Sequence, residues 1–165
     1  MSAMSAQPQK IKTCLWFDGQ AEEAAELYTS LFDDSRVTQV QRYSEVGPGE
    51  PGSVMVVMFE LAGTEFMGLN GGPEFQFTEA SSVYVDCDDQ QEVDRLWSAL
   101  TADGGQEGPC GWLKDKYGLS WQIVPRVLDE LITDPDPARS GRAMKAMLGM
   151  GKLDVQALVD AADGK

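Results

Sequence analysis

The sequence predicts an α+β protein: a duplicated βαβββ unit that forms a mixed sheet, followed by C-terminal helices. Three observations predict this class. Two segments of strand-forming residues, 11–17 and Ser82–Cys87, each lead through turn or capping residues into an amphipathic helical stretch. Each half then continues through further strand-like segments. Residues 126–165 show helical periodicity alone.

The internal repeat rests on two alignments of the halves. A shift of 69 positions (23 to 92) superimposes the helical stripes, and a shift of 55 (63 to 118) superimposes the later strands. The matched pairs are Glu23 and Glu92, Leu27 and Leu96, Tyr28 and Trp97, Leu31 and Leu100, Thr13 and Ser82, Gly63 and Gly118, Phe66 and Trp121, and Met67 and Gln122. A duplicated unit explains these pairs. Chance similarity between two amphipathic helices is the alternative.

The other elements follow from composition and turn residues. We expect strands at residues 36–43, 54–61 and 65–69, with a glycine- and proline-rich loop at 47–52. The tail carries three helical stretches, at 125–132, 138–148 and 153–162. The predicted organisation is a disordered N-terminus at 1–9, one domain at 10–125 with repeats at 10–73 and 80–125, and a helical tail at 126–165.

The charge excludes two classes of partner. The chain has 165 residues, with 27 acidic against 13 basic residues and a net charge of −14. Such a surface repels phosphate backbones and anionic lipids, so we expect neither a nucleic-acid nor a membrane partner. The first residues lack the charged start and apolar core of a signal peptide. Three cysteines without CxxC spacing are typical of reduced thiols, so we expect a cytoplasmic protein.

Residues 107–125 organise the second half. Two strands, 111–116 and 120–124, are predicted around a tight turn at 117–118, where Gly118 suits a positive φ. In the second of these strands Trp121 and Ile123 point one way, whereas Ser120, Gln122 and Val124 point the other. A polar Gln therefore shares a face with an apolar neighbour, which raises the question of what it contacts.

Several motifs make the chain resemble a known family. They are residues 17–24 (FDGQAEEA), 69–73 (LNGGP), 110–118 (CGWLKDKYG) and 120–125 (SWQIVP). They resemble the PhnB-like proteins, which are often labelled 3-demethylubiquinone-9 3-methyltransferase, a branch of the vicinal oxygen chelate superfamily with glyoxalase I and extradiol dioxygenases. The tail resembles this branch in residues 142–144 and 152–154, so the resemblance covers roughly residues 10–162. It implies a cup-shaped sheet with the active site on its concave face.

Catalytic members of that superfamily bind a divalent metal through His and Glu on the first and last strands of each unit. The repeat places Thr13, Met67, Ser82 and Gln122 at those positions, give or take one residue. The chain contains no histidine, and hydroxyl, thioether and amide groups are poor ligands for Zn²⁺ or Fe²⁺. We therefore expect no metal and no inherited metal catalysis.

The resulting functional hypothesis is a metal-free protein that binds a small aromatic or apolar molecule in the cup. Its candidate lining is Thr13, Leu15, Met67, Asn70, Ser82, Tyr84, Trp112 and Gln122. No catalytic residue is assigned and no cofactor is expected. Methyl transfer to a 3-demethylubiquinone-like substrate, which would require S-adenosylmethionine, is the alternative that the family label implies. A structural homodimer without ligand is the second alternative.

A homodimer is expected from the tail, because its apolar side chains exceed what a single-domain core requires. Those side chains are Met144, Met147, Leu148, Met150, Leu153, Val155 and Leu158. Packing of the tail on its own sheet as a monomer is the alternative. The paired carboxylates Asp88 and Asp89 are interpreted as caps of the helix that follows them.

Overall fold

The computed structural model describes residues 8–165. The chain divides into two compact units, one extending to Gln76 and the other running from Phe77 to Lys165. Residues 1–7, most of the predicted disordered N-terminus, lie outside the described part. Gln9 is held in place, because its side chain donates a hydrogen bond to the carbonyl of Ile11 and accepts one from the backbone N–H of Glu65.

The first unit is a βαβββ unit with one four-stranded mixed sheet. Its elements are β1 (Thr13–Phe17), α1 (Ala21–Leu31), β2 (Arg36–Arg42), β3 (Val54–Leu61) and β4 (Thr64–Asn70). The strand order is β1-β4-β3-β2, with β1 parallel to β4 and the other pairs antiparallel. The helix between β1 and β2 covers one face of this sheet.

The second unit repeats this topology and adds the tail. Its elements are β5 (Ser82–Cys87), α2 (Gln90–Thr101), a short 3-10 turn (Ala102–Gly104), β6 (Gln106–Glu107), β7 (Trp112–Lys114), β8 (Ser120–Pro125), α3 (Arg126–Ile132), α4 (Pro137–Leu148) and α5 (Val155–Ala162). The strand order is β5-β8-β7-β6, with β5 parallel to β8. The predicted fold class, two βαβββ units with mixed sheets plus C-terminal helices, is confirmed.

The face of the first sheet that packs against α1 is identified by Gly68. A Cβ at Gly68 would lie 3.2 Å from the Cβ of Ala21 in α1 and 3.6 Å from the ring of Phe17. Leu15 is the register partner of Gly68 and lies on the same face. Phe59 on β3 joins it and stacks on Phe66, with ring centroids 5.6 Å apart. These contacts build the core of the unit.

A hydrogen bond identifies the corresponding face of the second sheet. The indole Nε1 of Trp97 in α2 donates to Glu107 Oε1 at 2.6 Å, and Glu107 is the register partner of Leu113. Leu113 in turn lies opposite Trp121 on β8, and both are buried. This face therefore packs against α2, as the predicted alternation of Trp121 and Ile123 requires.

The predicted register of the first strands is wrong by one residue. Thr13 lies opposite Phe66 and on the α1 face, whereas Ser82 points away from α2. Cys14 pairs with Met67 as Tyr84 pairs with Gln122, so the strands superimpose with a shift of 70 (14 to 84). The helices keep the shift of 69, because three residues separate β1 from α1 but only two separate β5 from α2.

Those two residues are Asp88 and Asp89, and the predicted cap is present. Asp89 is the N-cap of α2, and its carboxylate accepts a hydrogen bond from the backbone N–H of Glu92 at 2.9 Å. Asp88 pairs with Arg126 instead, at 2.9 Å. The short connection therefore begins α2 directly at the end of β5.

The turn between β7 and β8 is built on the buried carboxylate of Asp115, which is 2% exposed. Its Oδ1 accepts hydrogen bonds from the backbone N–H groups of Tyr117 (2.9 Å) and Leu119 (3.0 Å), and its Oδ2 accepts from Trp121 Nε1 (2.9 Å). A buried charge requires such partners, because its desolvation is otherwise too costly. One carboxylate thus shapes the turn and anchors the indole behind it.

The tail packs on the second unit through the backbone before β7. The N–H groups of Cys110 and Gly111 donate to the carbonyls of Met150 (2.7 Å) and Gly151 (2.9 Å). Gln90 at the start of α2 adds a clamp, because its side chain donates to the carbonyl of Leu153 and accepts from the N–H of Val155. The tail is therefore tied to this unit through its backbone, and not only by apolar contact.

The apolar side chains of the tail differ in how deeply they are buried. Leu153 and Leu158 are buried within the second unit, in a cluster with Val124, Leu128, Leu131, Ala143 and Ala162. Met144 and Leu148 stay exposed, at 38% and 63%. Two of the seven apolar side chains that motivated the homodimer are thus buried within the unit, and the homodimer stays a prediction. Across residues 8–165, every helix is too short or too polar to span a bilayer.

We expect Asp115→Asn to destabilise the protein by about 2 kcal/mol or more, because its new amide group would place an N–H donor against the Trp121 N–H donor. Trp121→Phe removes that second donor. Chemical denaturation of the single variants and of the double variant measures the coupling between them. Additive costs in the double variant would contradict the assigned hydrogen bond.

Alanine substitutions at two glycines test how the tail packs against the second unit. Gly111 and Gly118 have similar positive φ angles, +85° and +88°. A Cβ at Gly111 would lie 2.9 Å from Leu153 Cδ1, whereas nothing lies within 4 Å at Gly118. We expect Gly118→Ala to cost about 1 kcal/mol of folding free energy and Gly111→Ala about 1 to 3 kcal/mol more. Limited proteolysis should then cut the tail of Gly111→Ala alone; equal behaviour of the two variants would refute this docking.

Candidate functional site

Four of the eight predicted lining residues come together on one surface of the second unit. We call this surface the polar face: the side of the second sheet that points away from α2. It carries Ser82 and Tyr84 on β5, Ser120 and Gln122 on β8, and Trp112 and Lys114 on β7. The cross-strand register orders these six side chains into two neighbouring rows.

The first of these rows, which we call the outer row, contains two aromatic side chains and one amide. Tyr84, Gln122 and Trp112 are register neighbours, so two aromatic side chains flank one amide. Tyr84 is 53% exposed. Burial of the rest of the side chain, followed by the charge of Asp86, raises the pKa of Tyr84 above its usual value. The phenol therefore remains protonated at neutral pH and can donate a hydrogen bond.

The second row consists of Ser82, Ser120 and Lys114, and it continues to Gln106 on β6, the register partner of Lys114. The amide Nε2 of Gln122 reaches into this row and donates to Ser82 Oγ at 3.0 Å. Lys114 forms an ion pair with Glu79, which holds the pKa of that carboxyl below its usual value. Gln122 therefore contacts the hydroxyl of Ser82 on the neighbouring strand, which answers the question that the sequence left open.

The other predicted lining residues lie in the first unit and do not share one face. Met67 points away from α1, beside its register partner Cys14. Thr13 and Leu15 lie on the α1 face, and Leu15 is 7% exposed in the core. Their placement reflects the one-residue error in the predicted register of β1.

Asn70 has a structural role at the end of β4. Its Oδ1 accepts a hydrogen bond from the backbone N–H of Ala21 at the start of α1 (2.9 Å), and its Nδ2 donates to the carbonyl of Val54 (3.0 Å). The Tyr43 hydroxyl donates to the Asn70 carbonyl at 2.6 Å. Asn70 therefore joins a helix, a strand and a loop, and its side-chain amide is already engaged.

The FDGQAEEA and LNGGP motifs meet around a cavity of about 430 Å³ within the first unit. Asp18, Gly19, Tyr43 and Gly71 are among its lining residues. Gly71 is required by close packing, because a Cβ there would lie 2.3 Å from the ring of Trp16. Gly71 is thus explained by close packing against an indole, and Gly72 by its positive φ of +100°.

The residues present do not fit the divalent metal of the superfamily. With the observed register, the first and last strands of the two units offer Cys14 and Met67, and Tyr84 and Gln122. Burial raises the pKa of the Cys14 thiol, which disfavours the thiolate that would bind a metal. Among the described residues, no three Cys, Asp or Glu side chains cluster in a way that could hold an ion. Absence of a metal stays a prediction.

Two members of the polar face, Ser120 and Lys114, were not among the predicted lining residues. Alternation along β8 already placed Ser120 beside Gln122, so the signal was present. Lys114 lies two residues after Trp112 in the strand predicted at 111–116, so alternation along that strand also placed it on the face of Trp112. Burial raises the pKa of the Cys87 thiol to about 12, which disfavours a reactive thiolate there.

These features define a class: an α+β protein with a duplicated βαβββ unit and a polar sheet face without the histidines of the metal enzymes. The family model for 3-demethylubiquinone-9 3-methyltransferase matches residues 9–124. The chain belongs to this family, as its motifs indicated. The match ends before α3, so the resemblance of the tail stays a prediction.

Solved structures agree with this assignment. The chain is 42% identical to the PhnB protein of Bacillus cereus, which carries the same methyltransferase name, over 71% of this chain and 99% of that one, with a TM-score of 0.64. Protein PA1353 of Pseudomonas aeruginosa is 18% identical over 71% of this chain and 97% of that one, with a TM-score of 0.58, and supports the fold alone. A comparison with curated proteins gives no match.

Proposed function

We propose that this chain binds a small aromatic or apolar molecule, without a metal ion, on the polar face of its second sheet. The observation that carries the proposal is the outer row: the register sets Tyr84, Gln122 and Trp112 side by side. Flat aromatic side chains around one or two polar groups are typical of small-molecule sites.

The amide of Gln122 supplies the polar centre of this site. Its Nε2 is committed to Ser82, which holds the amide plane in one orientation. Its Oε1 then stands between two aromatic neighbours, where it can accept a hydrogen bond from a ligand. Tyr84 adds a protonated phenol that can donate. A ring stacked on Tyr84 or Trp112 would meet both groups at its edge.

The Gln122→Leu variant tests this site. We expect calorimetric titration with a panel of small aromatic compounds to find saturable binding by the wild-type protein. Gln122→Leu, similar in size, should weaken that binding about tenfold because it removes the hydrogen-bonding centre. Gln91→Leu on the exposed surface of α2 is the matched control. Flat titrations throughout the panel, or equal affinity of Gln122→Leu and the control, would contradict the proposal.

Methyl transfer to a 3-demethylubiquinone-like substrate is the second candidate, and the family name is the observation that favours it. A quinol-like ring is compatible with the aromatic outer row. The reaction needs S-adenosylmethionine as methyl donor. The described strands form mixed sheets, which lack the doubly wound parallel arrangement that commonly holds nucleoside cofactors at a glycine-rich loop.

Calorimetry with S-adenosylmethionine separates the two candidates. Because the chain offers no recognised site for this cofactor, we expect a flat titration at micromolar protein and ligand. A saturable heat would instead favour the methyltransferase. S-adenosylhomocysteine serves as the control, since a true cofactor site would bind the demethylated product as well.

A further inference from the structure

The hydroxyl of Ser120 is the most deeply buried polar group of the polar face. The residue is 1% exposed, and its Oγ finds no hydrogen-bond partner among residues 8–165. Buried hydroxyls in folded proteins nearly always have such a partner, because leaving one unpaired is costly. The hydroxyl is covered by protein atoms in the ligand-free chain, so a ligand atom can become its partner where a neighbouring side chain gives way.

The neighbours of Ser120 determine what kind of atom that is. Ser82 and Lys114 flank it as register partners on β5 and β7. The Ser82 oxygen already accepts from Gln122, so its own proton is available to donate. The Lys114 ammonium has donors only. Ser82, Ser120 and Lys114 can thus all donate, and the Lys114 ammonium is positively charged and cannot accept, so the complementary ligand group is an anionic oxygen.

Lys114 can join this row at low cost. Its ion pair with Glu79 lies at the surface, with side chains 35% and 63% exposed. Pairs with this exposure contribute little to stability, since water solvates both charges. The ammonium can therefore exchange Glu79 for a ligand carboxylate. This local charge acts against the net charge of −14, which on its own would repel an anion.

We propose that Ser120 determines the specificity of the site, by donating a hydrogen bond to an acceptor oxygen of the ligand. The ligand class is then an aromatic carboxylate: its ring lies against Tyr84 and Trp112, and its oxygens meet the donors of Ser82, Ser120 and Lys114. Aromatic amines bind more weakly, because their ammonium group would lie beside the ammonium of Lys114. This inference rests on the proposed function of the polar face.

The experiment compares two probes with the same ring, 2-naphthoate and 2-naphthylmethylamine. Calorimetry should show that the wild-type protein binds the carboxylate at least about tenfold more tightly than the amine. Ser120→Ala should weaken naphthoate binding about tenfold and leave the weak amine binding unchanged. Ser98→Ala, on the exposed side of α2, is the matched control and should behave as wild type.

The melting temperature of the ligand-free protein is an independent readout. Ser120→Ala removes an unpaired hydroxyl, so its melting temperature should equal or exceed that of the wild type. A fall of several degrees would mean that the hydroxyl is already satisfied, and would overturn the inference whatever the binding data. Equal naphthoate affinity of Ser120→Ala and wild type overturns it too, while the proposed function stands. If the wild type binds neither probe nor any other aromatic compound, both fail.

Discussion

The buried carboxylate of Asp115 is the constraint on which the second unit depends. It accepts two backbone N–H groups of the turn and the indole N–H of Trp121, so it shapes the β7–β8 connection and positions β8 at once. Because β8 lies at the centre of the sheet, the register of β5 and β7 follows from it. The polar face exists because Trp121 is held toward α2, which directs Ser120 and Gln122 the other way.

The same stretch of chain connects the sheet to the tail. Gly111 approaches Leu153 so closely that a Cβ there would force a neighbour to shift, and its backbone N–H donates to the carbonyl of Gly151. The CGWLKDKYG motif (residues 110–118) is therefore explained in large part by packing and not by ligand binding. Its residues form the turn, anchor the indole of Trp121 and contact the tail. Only the side chains of β7 and β8 on the polar face are then left to contact a ligand.

The absence of histidine changes what the family's scaffold can do. With Cys14, Met67, Tyr84 and Gln122 in the positions of the metal ligands, the first and last strands of the two units offer hydrogen bonds and soft or aromatic surface in place of a coordination sphere. Sites of this composition recognise a ligand by shape, stacking and a few oriented donors. The aromatic row and the donor-rich row lie on the same face, because residues two positions apart along each of the three strands point to the same side.

The sequence by itself determined the order of elements, the duplication and the alternation along β8, because these depend on local periodicity and on turn residues. It also excluded histidine ligation outright. Only the tertiary structure decided the face on which Thr13 and Leu15 lie. The connection between the first strand and the helix is one residue shorter in the second repeat, and a shift of one residue turns every side chain of a strand to the opposite face. The periodicity of the helices does not reveal this difference. Pairing between distant strands likewise joined Ser82, Ser120 and Lys114 into one row, since such neighbours meet only when the sheet has formed.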